Sequence, residues 1–467
     1  MNIVRTKIVA TIGPSSSSKS MIEKMITAGM NVARINMSHY NPDFDIFSIV
    51  KIIRDTAKQQ SKSIAILMDL PGPKIRTGNK DIIPVSRGNE YTLGSDADIP
   101  INTNLKFNKL NDSAKVKIDD GKLSFRIIKK ISNSKIRIKA KNSGNIGFRK
   151  GINISGLGLG LPSINRKDLE YVKLAIKLGL DWIALSFVQS ADDRGSIDKL
   201  FKRSKKAIPL IAKIEKPEAI EKIDSIIDGF DGVLIARGDL GLEMELEKVP
   251  SLQKKIIKKC NLKCKPVITA TQMLESMISN PLPTRAEVND VAGAIYDGSD
   301  AIMLSGETAI GEFPLESIRM MKSITVNVEK EILDSDEFNR FIQAPSKNNP
   351  KKSICYSAYQ MSKDLGIKVM VIMTESGDTG DTMSSFRPNA TIIAMTPNQH
   401  IYQRLSLSWG VVPIKVRKFK STDQMLTFNK KFLIKNGIIK KGDLFIMTAG
   451  VPVGITGTTN MIKIESA

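Results

Sequence analysis

Histidine and cysteine are scarce in this chain of 467 residues, which holds two histidines, His39 and His400, and three cysteines. A histidine-based zinc centre and an imidazole general base are both disfavoured on those numbers. Oxygen ligands remain for any metal. Cys260 and Cys264 lie in a stretch of helical periodicity without a second cysteine pair, so they read as ordinary thiols in a reducing compartment. Aromatic residues make up only 5% of the chain and no RNA- or DNA-binding signature is present, so the formal net charge of +22 reads as lysine on solvated faces. No specific nucleic-acid partner is expected. There is no run of 18 apolar residues, and the first residues enter a strand with no apolar leader, so neither membrane insertion nor secretion is expected. The reading is a cytoplasmic protein. A G-x-x-x-x-G-K-[ST] loop is also missing, so a nucleotide has to be held by another device.

What the chain does have is a count of eight strand-like apolar runs, at 7–13, 31–37, 64–70, 182–188, 208–215, 231–237, 265–271 and 300–306. All but the third are followed directly by helical periodicity, as at 20–28, 217–227 and 284–296. This is the pattern of an α/β fold of the TIM (β/α)8 barrel type. After the third run the pattern breaks into short alternating segments, such as 114–118 and 135–139, which predict an inserted all-β lid domain. Its flanks, Pro71-Gly72-Pro73 and 156–162, set turns or loosen the backbone and suggest a hinged lid over the barrel mouth. A polar linker at 343–350 precedes a new alternation of helix and strand, which predicts a C-terminal α/β domain. The expected division is therefore 1–70 with 164–342 for the barrel, 71–163 for the lid and 343–467 for the third domain.

The ends of the strand runs carry the chemistry. The fifth run finishes with Lys213 and Glu215 and the sixth with Arg237, Gly238 and Asp239, so a cation and two carboxylates converge where parallel strands stop. Two carboxylates suit a hard divalent metal, and an ammonium beside them suits a phosphorylated or enolic oxyanion. The second run adds Arg34, Asn36, Ser38 and His39; the third adds Asp69, Leu70, Lys74 and Arg76. Thr271 follows the seventh, and Ser305 and Glu307 follow the eighth. Thr284 and Glu287 have the spacing of a capping box, whose default meaning is structural.

Taken in order, TKIVATIGP at 6–14, NVARINMSH at 31–39, GPKIR at 72–76, AKIE at 212–215, ARGDLG at 236–241, ITATQML at 268–274, PTRAE at 283–287 and MLSGE at 303–307 resemble the pyruvate kinase family along nearly the whole chain. The resemblance implies transfer of the phosphoryl group of phosphoenolpyruvate to ADP, giving ATP and pyruvate at the last step of glycolysis, in a homotetramer with a C-terminal regulatory domain. It implies that Glu215 and Asp239 hold Mg2+, that Lys213 stabilises the transition state and that Arg34 grips the substrate phosphate. Gly238, Asp239 and Thr271 are expected at the substrate carboxylate. Thr271 with water, and Ser305, are candidate proton donors to the enolate. Asn36, Met37, Ser38, His39, Arg76 and Lys150 match positions associated with the nucleotide.

Two departures from the family pattern are visible. Asn36, Ser38, Asp69 and Leu70 correspond to a K+ site, yet many members carry a threonine and then a glutamate where this chain has Leu70 and Lys74. That resembles variants that need no K+, with the Lys74 ammonium supplying the charge. Thr374, Ser376, Gly377 and Thr379 resemble an effector loop that cradles a phosphate, but Asp378 stands where a related form has arginine and opposes an anion. Two rival readings are a metal-dependent barrel lyase acting on pyruvate enolate and a nucleic-acid-binding module; nucleotide-dependent turnover separates both from a kinase.

Overall fold

The computed structural model describes residues 4–40, 45–102, 105–107, 114–154, 163–335, 342, 344–345, 348–453 and 459–467, apart from the side chains of His39 and Asp334. Eight parallel strands close into a barrel: Lys7–Ile12, Val32–Asn36, Ala65–Asp69, Trp182–Leu185, Leu210–Ile214, Gly232–Ala236, Val267–Ala270 and Ala301–Leu304, here called the first to eighth barrel strands. The first and eighth close the ring, with Lys7 opposite Ala301 and Ala10 opposite Leu304. Each strand falls within one of the eight expected runs, trimmed by a residue or more at one end or both. Near-continuous apolar sequence is what such strands need, because their inner faces fill the barrel and their outer faces meet helices.

The helices owe their positions to caps and to one apolar face each. Helix Ile46–Gln59 buries Ile46, Ile49, Val50, Ile53 and Ala57, and Asp45 accepts from the amides of Phe47 and Ser48 at its start. Helix Arg285–Tyr296 has the expected box, in which Thr284 Oγ1 accepts from Glu287 N at 3.3 Å and Glu287 Oε2 accepts from Thr284 N at 2.8 Å. One expectation is corrected. The single helix expected at 217–227 is two, Pro217–Glu221 and Ile223–Gly229, broken at Lys222. No proline or glycine sits at the break; packing of Ile223, Ile226 and Ile227 into the barrel wall overrides the continuous periodicity.

The insertion is all-β, with a sheet in the order Ile152–Ile154, Lys115–Ile118, Leu123–Ser132, Lys135–Ala140, Glu90–Gly94 and Ile99–Pro100 over its own core of Val116, Leu123, Phe125 and Ile138. Gly72, at the first flank, has φ 63° and lies against Phe187 and Ser186, so a side chain there would meet both a strained dihedral and a wall. The second flank, 156–162, lies outside the described residues, as do 343, 346 and 347 of the linker. Helix Arg166–Leu178, which covers the third strand, comes only after the insertion.

The C-terminal region is a five-stranded sheet in the order Val411–Lys415, Thr391–Thr396, Val369–Met373, Leu444–Gly450 and Thr459–Ser466, the last antiparallel to its neighbour. It docks on the amino-terminal end of the barrel. Leu407 and Trp409 join the barrel's apolar clusters, and the buried Arg387 guanidinium pairs with Asp300 at 2.8 Å.

Candidate active site

At the opposite, carboxyl-terminal end of the barrel, a cleft is lined by Arg34, Asn36, Ser38, Ser186, Lys213, Glu215 and Asp239 from the barrel and by Lys74, Arg76, Asp119, Asp120, Arg149 and Lys150 from the insertion. Its centre is the Lys213 ammonium. Nζ lies 2.9 Å from Glu215 Oε1 and 3.1 Å from Asp69 Oδ1, and donates to Ser186 Oγ at 2.7 Å. One hydrogen bond and two ion pairs therefore hold the ammonium. Arg34 completes the cluster: Nε donates to Asp69 Oδ2 at 2.8 Å and Nη1 to Thr11 Oγ1 at 2.8 Å.

Burial sets the electrostatics and the partners decide the outcome. Burial alone would raise the Asp69 carboxyl, but Lys213 and Arg34 outweigh it and hold Asp69 below the usual carboxylate range. Burial alone would lower Lys213, but Asp69 and Glu215 outweigh that too and raise it. Glu215 goes the other way. Burial pushes its carboxyl up to about 7, against the pull of Lys213 and with the help of Asp239.

Two carboxylates facing one cleft fit a hard divalent cation. Glu215 Oε2 accepts from Phe187 N at 2.7 Å, which fixes the group and leaves Oε1 toward Lys213 and the cleft. Asp239, in the first turn of helix Arg237–Glu243, has no ion pair among the described residues. No group of three or more histidine, cysteine or acidic side chains that could hold a metal ion is present among the described residues.

The other expected residues divide. Thr271 Oγ1 accepts from Gly238 N at 2.7 Å and donates to Ala270 O at 2.5 Å, so these two groups are together as expected. Arg76 Nη1 donates to Arg149 O at 3.1 Å and Lys150 pairs with Asp119 at 2.9 Å, both within the insertion where it lines the cleft. The Met37 side chain is buried in the core and does not line the cleft, and the His39 side chain lies outside the described residues. Leu70 is buried, and its carbonyl accepts from Ser186 Oγ at 2.7 Å. Lys74 shares the cleft with Asn36 and Ser38, but its ammonium faces Asp120 of the insertion at 4.0 Å, while Asp69 is occupied by Arg34 and Lys213. Ser305 N and Leu274 N both donate to Glu307, whose buried carboxylate ties two loops together outside the cleft. Ser186 was missed. Its only sequence signal is its place immediately after the fourth barrel strand.

A second cavity, in the C-terminal sheet, is lined by Thr374, Ser376, Asp378, Thr379, Lys351, Arg417 and Lys418. Gly377 N donates to Thr374 Oγ1 at 2.8 Å and Gly377 has φ 88°, opening helix Asp378–Ser385. Asp378 faces Lys351 at 3.8 Å, so its charge is partly offset.

Comparison with known proteins agrees with this geometry. The family model for the pyruvate kinase barrel domain matches residues 3–318, and that for the pyruvate kinase alpha/beta domain matches 352–465. Pyruvate kinases of Staphylococcus aureus strains MRSA252 and USA300 are each 42% identical over 474 aligned residues, covering 99% of this chain and 80% of theirs. The crystal structure of a pyruvate kinase from Cryptosporidium parvum superposes with a TM-score of 0.91 at 34% identity, covering 99% of this chain and 96% of that one. Family models over most of the length, close relatives and the matching fold lead to one conclusion: the chain belongs to the pyruvate kinase family.

Proposed function

We propose that this cleft performs the family reaction with Lys213 at its centre. The γ-phosphoryl acceptor is the β-phosphate oxygen of ADP; the P–O bond to the enol oxygen of phosphoenolpyruvate breaks, and the enolate left behind takes a proton at carbon to become pyruvate. Lys213 offsets charge on the moving phosphoryl group and then on the enolate. The observation that carries the reading is the Lys213 ammonium, hydrogen-bonded to Ser186 and ion-paired with two carboxylates at the cleft wall. Arg34, pinned by Asp69 and Thr11, offers its remaining donor capacity to the substrate phosphate. The Gly238 amide and Thr271 hydroxyl, now bonded to each other, exchange that bond for the substrate carboxylate. Glu215 and Asp239 would hold Mg2+, which would supply positive charge to offset the charge on the substrates. Asn36, Ser38, His39, Arg76 and Lys150 form the nucleotide side, with Arg76 and Lys150 facing it from the insertion. Thr271 with water, or Ser305, delivers the proton.

K+ independence belongs to the same proposal. Asn36, Ser38, Asp69 and Leu70 make up the family's K+ site, and Lys74 in the shared cleft supplies a fixed positive charge, although Asp120 and not Asp69 is its nearest acid. The effector loop of Thr374, Ser376, Gly377 and Thr379 binds a sugar phosphate weakly because Asp378 faces the same cavity. The three-part division at 1–70 with 164–342, 71–163 and 343–467 is supported by an apolar core within each part, Leu407 and Trp409 of the third part also packing into the barrel. A homotetramer is supported by the family and by Ile464, exposed on the edge strand of the C-terminal sheet, with Leu444 exposed on the strand beside it. A cytoplasmic location accords with free cysteines and with the absence, among the described residues, of a helix long and apolar enough to cross a membrane.

The test is a coupled assay of pyruvate formation from phosphoenolpyruvate, ADP and Mg2+, with K+ or a tetraalkylammonium salt. Turnover that needs ADP and Mg2+ and ignores K+ is expected; strong K+ stimulation sinks the Lys74 reading. A lowered half-saturating phosphoenolpyruvate concentration with a sugar phosphate, unimproved by Asp378→Arg, overturns the effector reading.

A further inference from the structure

Just past the seventh barrel strand, two consecutive non-glycine residues adopt the left-handed region, Thr271 at φ 69° and Gln272 at φ 54°. For a β-branched residue such a dihedral is an outlier, and it persists only where the surroundings over-determine it. Arg237 is the group that does so. Its Nη2 donates to Thr271 O at 2.8 Å and to Gln272 O at 3.3 Å, while Nη1 pairs with Asp290 Oδ1 at 2.6 Å and reaches Gln253 Oε1 at 3.4 Å. One planar fork thus ties both carbonyls of the turn to helices Val249–Leu262 and Arg285–Tyr296. The turn in turn decides where the Thr271 hydroxyl points, and that hydroxyl meets the Gly238 amide.

We propose that Arg237 is a positioning residue that holds the Thr271–Gln272 turn left-handed, so that the Thr271 hydroxyl and the Gly238 amide face the substrate carboxylate. The inference rests on the reading of Thr271 as a ligand of that carboxylate. A lysine carries the charge of Arg237 but not the fork, so Arg237→Lys frees at least one carbonyl and lets the turn relax. Glycine takes a positive φ without penalty, so Gln272→Gly removes half of the strain that Arg237 restrains.

The experiment compares Arg237→Lys, Asp290→Asn, Gln272→Gly and the two double variants with Gln272→Gly, measuring KM for phosphoenolpyruvate and for ADP, kcat and thermal midpoint. Arg237→Lys is expected to raise KM for phosphoenolpyruvate about tenfold, the equivalent of one lost hydrogen bond, with KM for ADP unchanged. Asp290→Asn, at a half-exposed carboxylate, is expected to do the same more mildly, and it carries the test if Arg237→Lys does not fold. Gln272→Gly is expected to reverse most of either shift. A purely structural role lowers the thermal midpoint without a selective KM change and is not reversed by glycine; that result overturns the proposal. Thr271→Val separates the two layers. If it leaves KM for phosphoenolpyruvate unchanged, the Thr271 assignment falls and the clamp with it; if it raises KM while Arg237→Lys and Asp290→Asn are silent, only the clamp falls.

Discussion

Two buried lysines mark opposite ends of the barrel, and their environments push them in opposite directions. Lys213, near the end of the fifth strand, is raised, although burial works against it, because Asp69 and Glu215 lie within 3.1 Å of its ammonium. Lys7, at the start of the first strand, is lowered to about 8: burial dominates, Glu329 opposes it and Arg5 adds to it. Its ammonium donates to a neutral acceptor, Val411 O, at 2.8 Å. Glu329, the nearest acid, is engaged by the amides of Arg5 and Thr6. The same side chain at similar burial is thus a permanent cation at the mouth and a marginal one at the foot. Which partners surround it decides, and only the mouth offers a charge poised for an anionic substrate.

The strongest way to break this comparison is to remove the cation at the mouth. Lys213→Met is expected to lower kcat about 10³-fold, the scale of losing one preorganised transition-state donor, measured by the coupled assay at saturating substrates. A residual rate within tenfold of the parent contradicts the central role. At the foot, charge serves attachment. Arg387, wholly buried, pairs with Asp300 at 2.8 Å, donates to Gly298 O at 2.8 Å and lies over the Trp409 ring. Arg387→Met leaves Asp300 without its cation and is expected to destabilise by about 3 kcal/mol, read from urea unfolding, with KM for both substrates unchanged. A KM shift without loss of stability reverses the assignment of roles to the two ends.

A smaller effect sharpens the picture of the mouth. Ser186 donates its proton to Leu70 O and so presents only a lone pair to Lys213. Ser186→Ala leaves one ammonium N–H without an acceptor, and kcat is expected to fall about tenfold while KM for ADP stays the same. An unaltered kcat shows that the two carboxylates suffice to hold Lys213.

The mouth was largely legible in the sequence and the foot was not. Lys213, Glu215 and Asp239 announce themselves because strand ends are local features, and a barrel collects strand ends at one face. Ser186 was passed over because a lone serine after a strand carries no signal until the fold sets it against a lysine 27 positions away. Met37 was carried with its motif, whereas its side chain packs in the core. Lys74 was expected near Asp69, but its short loop after Gly72 leads it to the insertion, and Asp69 is already filled. At the foot every decisive contact joins distant residues, Lys7 to Val411 and Arg387 to Asp300, and no period or motif encodes such a meeting.

The pH dependence of stability tests the foot directly. The unfolded chain keeps the Lys7 proton to about pH 10.4, whereas the folded protein releases it near 8. Between those values the unfolded state binds more protons, so the Lys7 contribution to stability rises with pH, by up to about 3 kcal/mol across the window. Other groups titrate there as well, so the quantity to read is the difference between the parent and Lys7→Met in urea unfolding at pH 7, 8, 9 and 10. Methionine keeps most of the volume and has no charge to desolvate. At pH 7 the variant is expected to be as stable as the parent or about 1 kcal/mol more so, since replacing a poorly compensated buried charge by an apolar chain is often favourable. The advantage should then shrink as pH rises and the parent's Lys7 becomes neutral. A difference that does not depend on pH shows that Lys7 keeps its proton throughout. Glu329, and not burial, then governs it, and the two ends of the barrel treat their lysines alike.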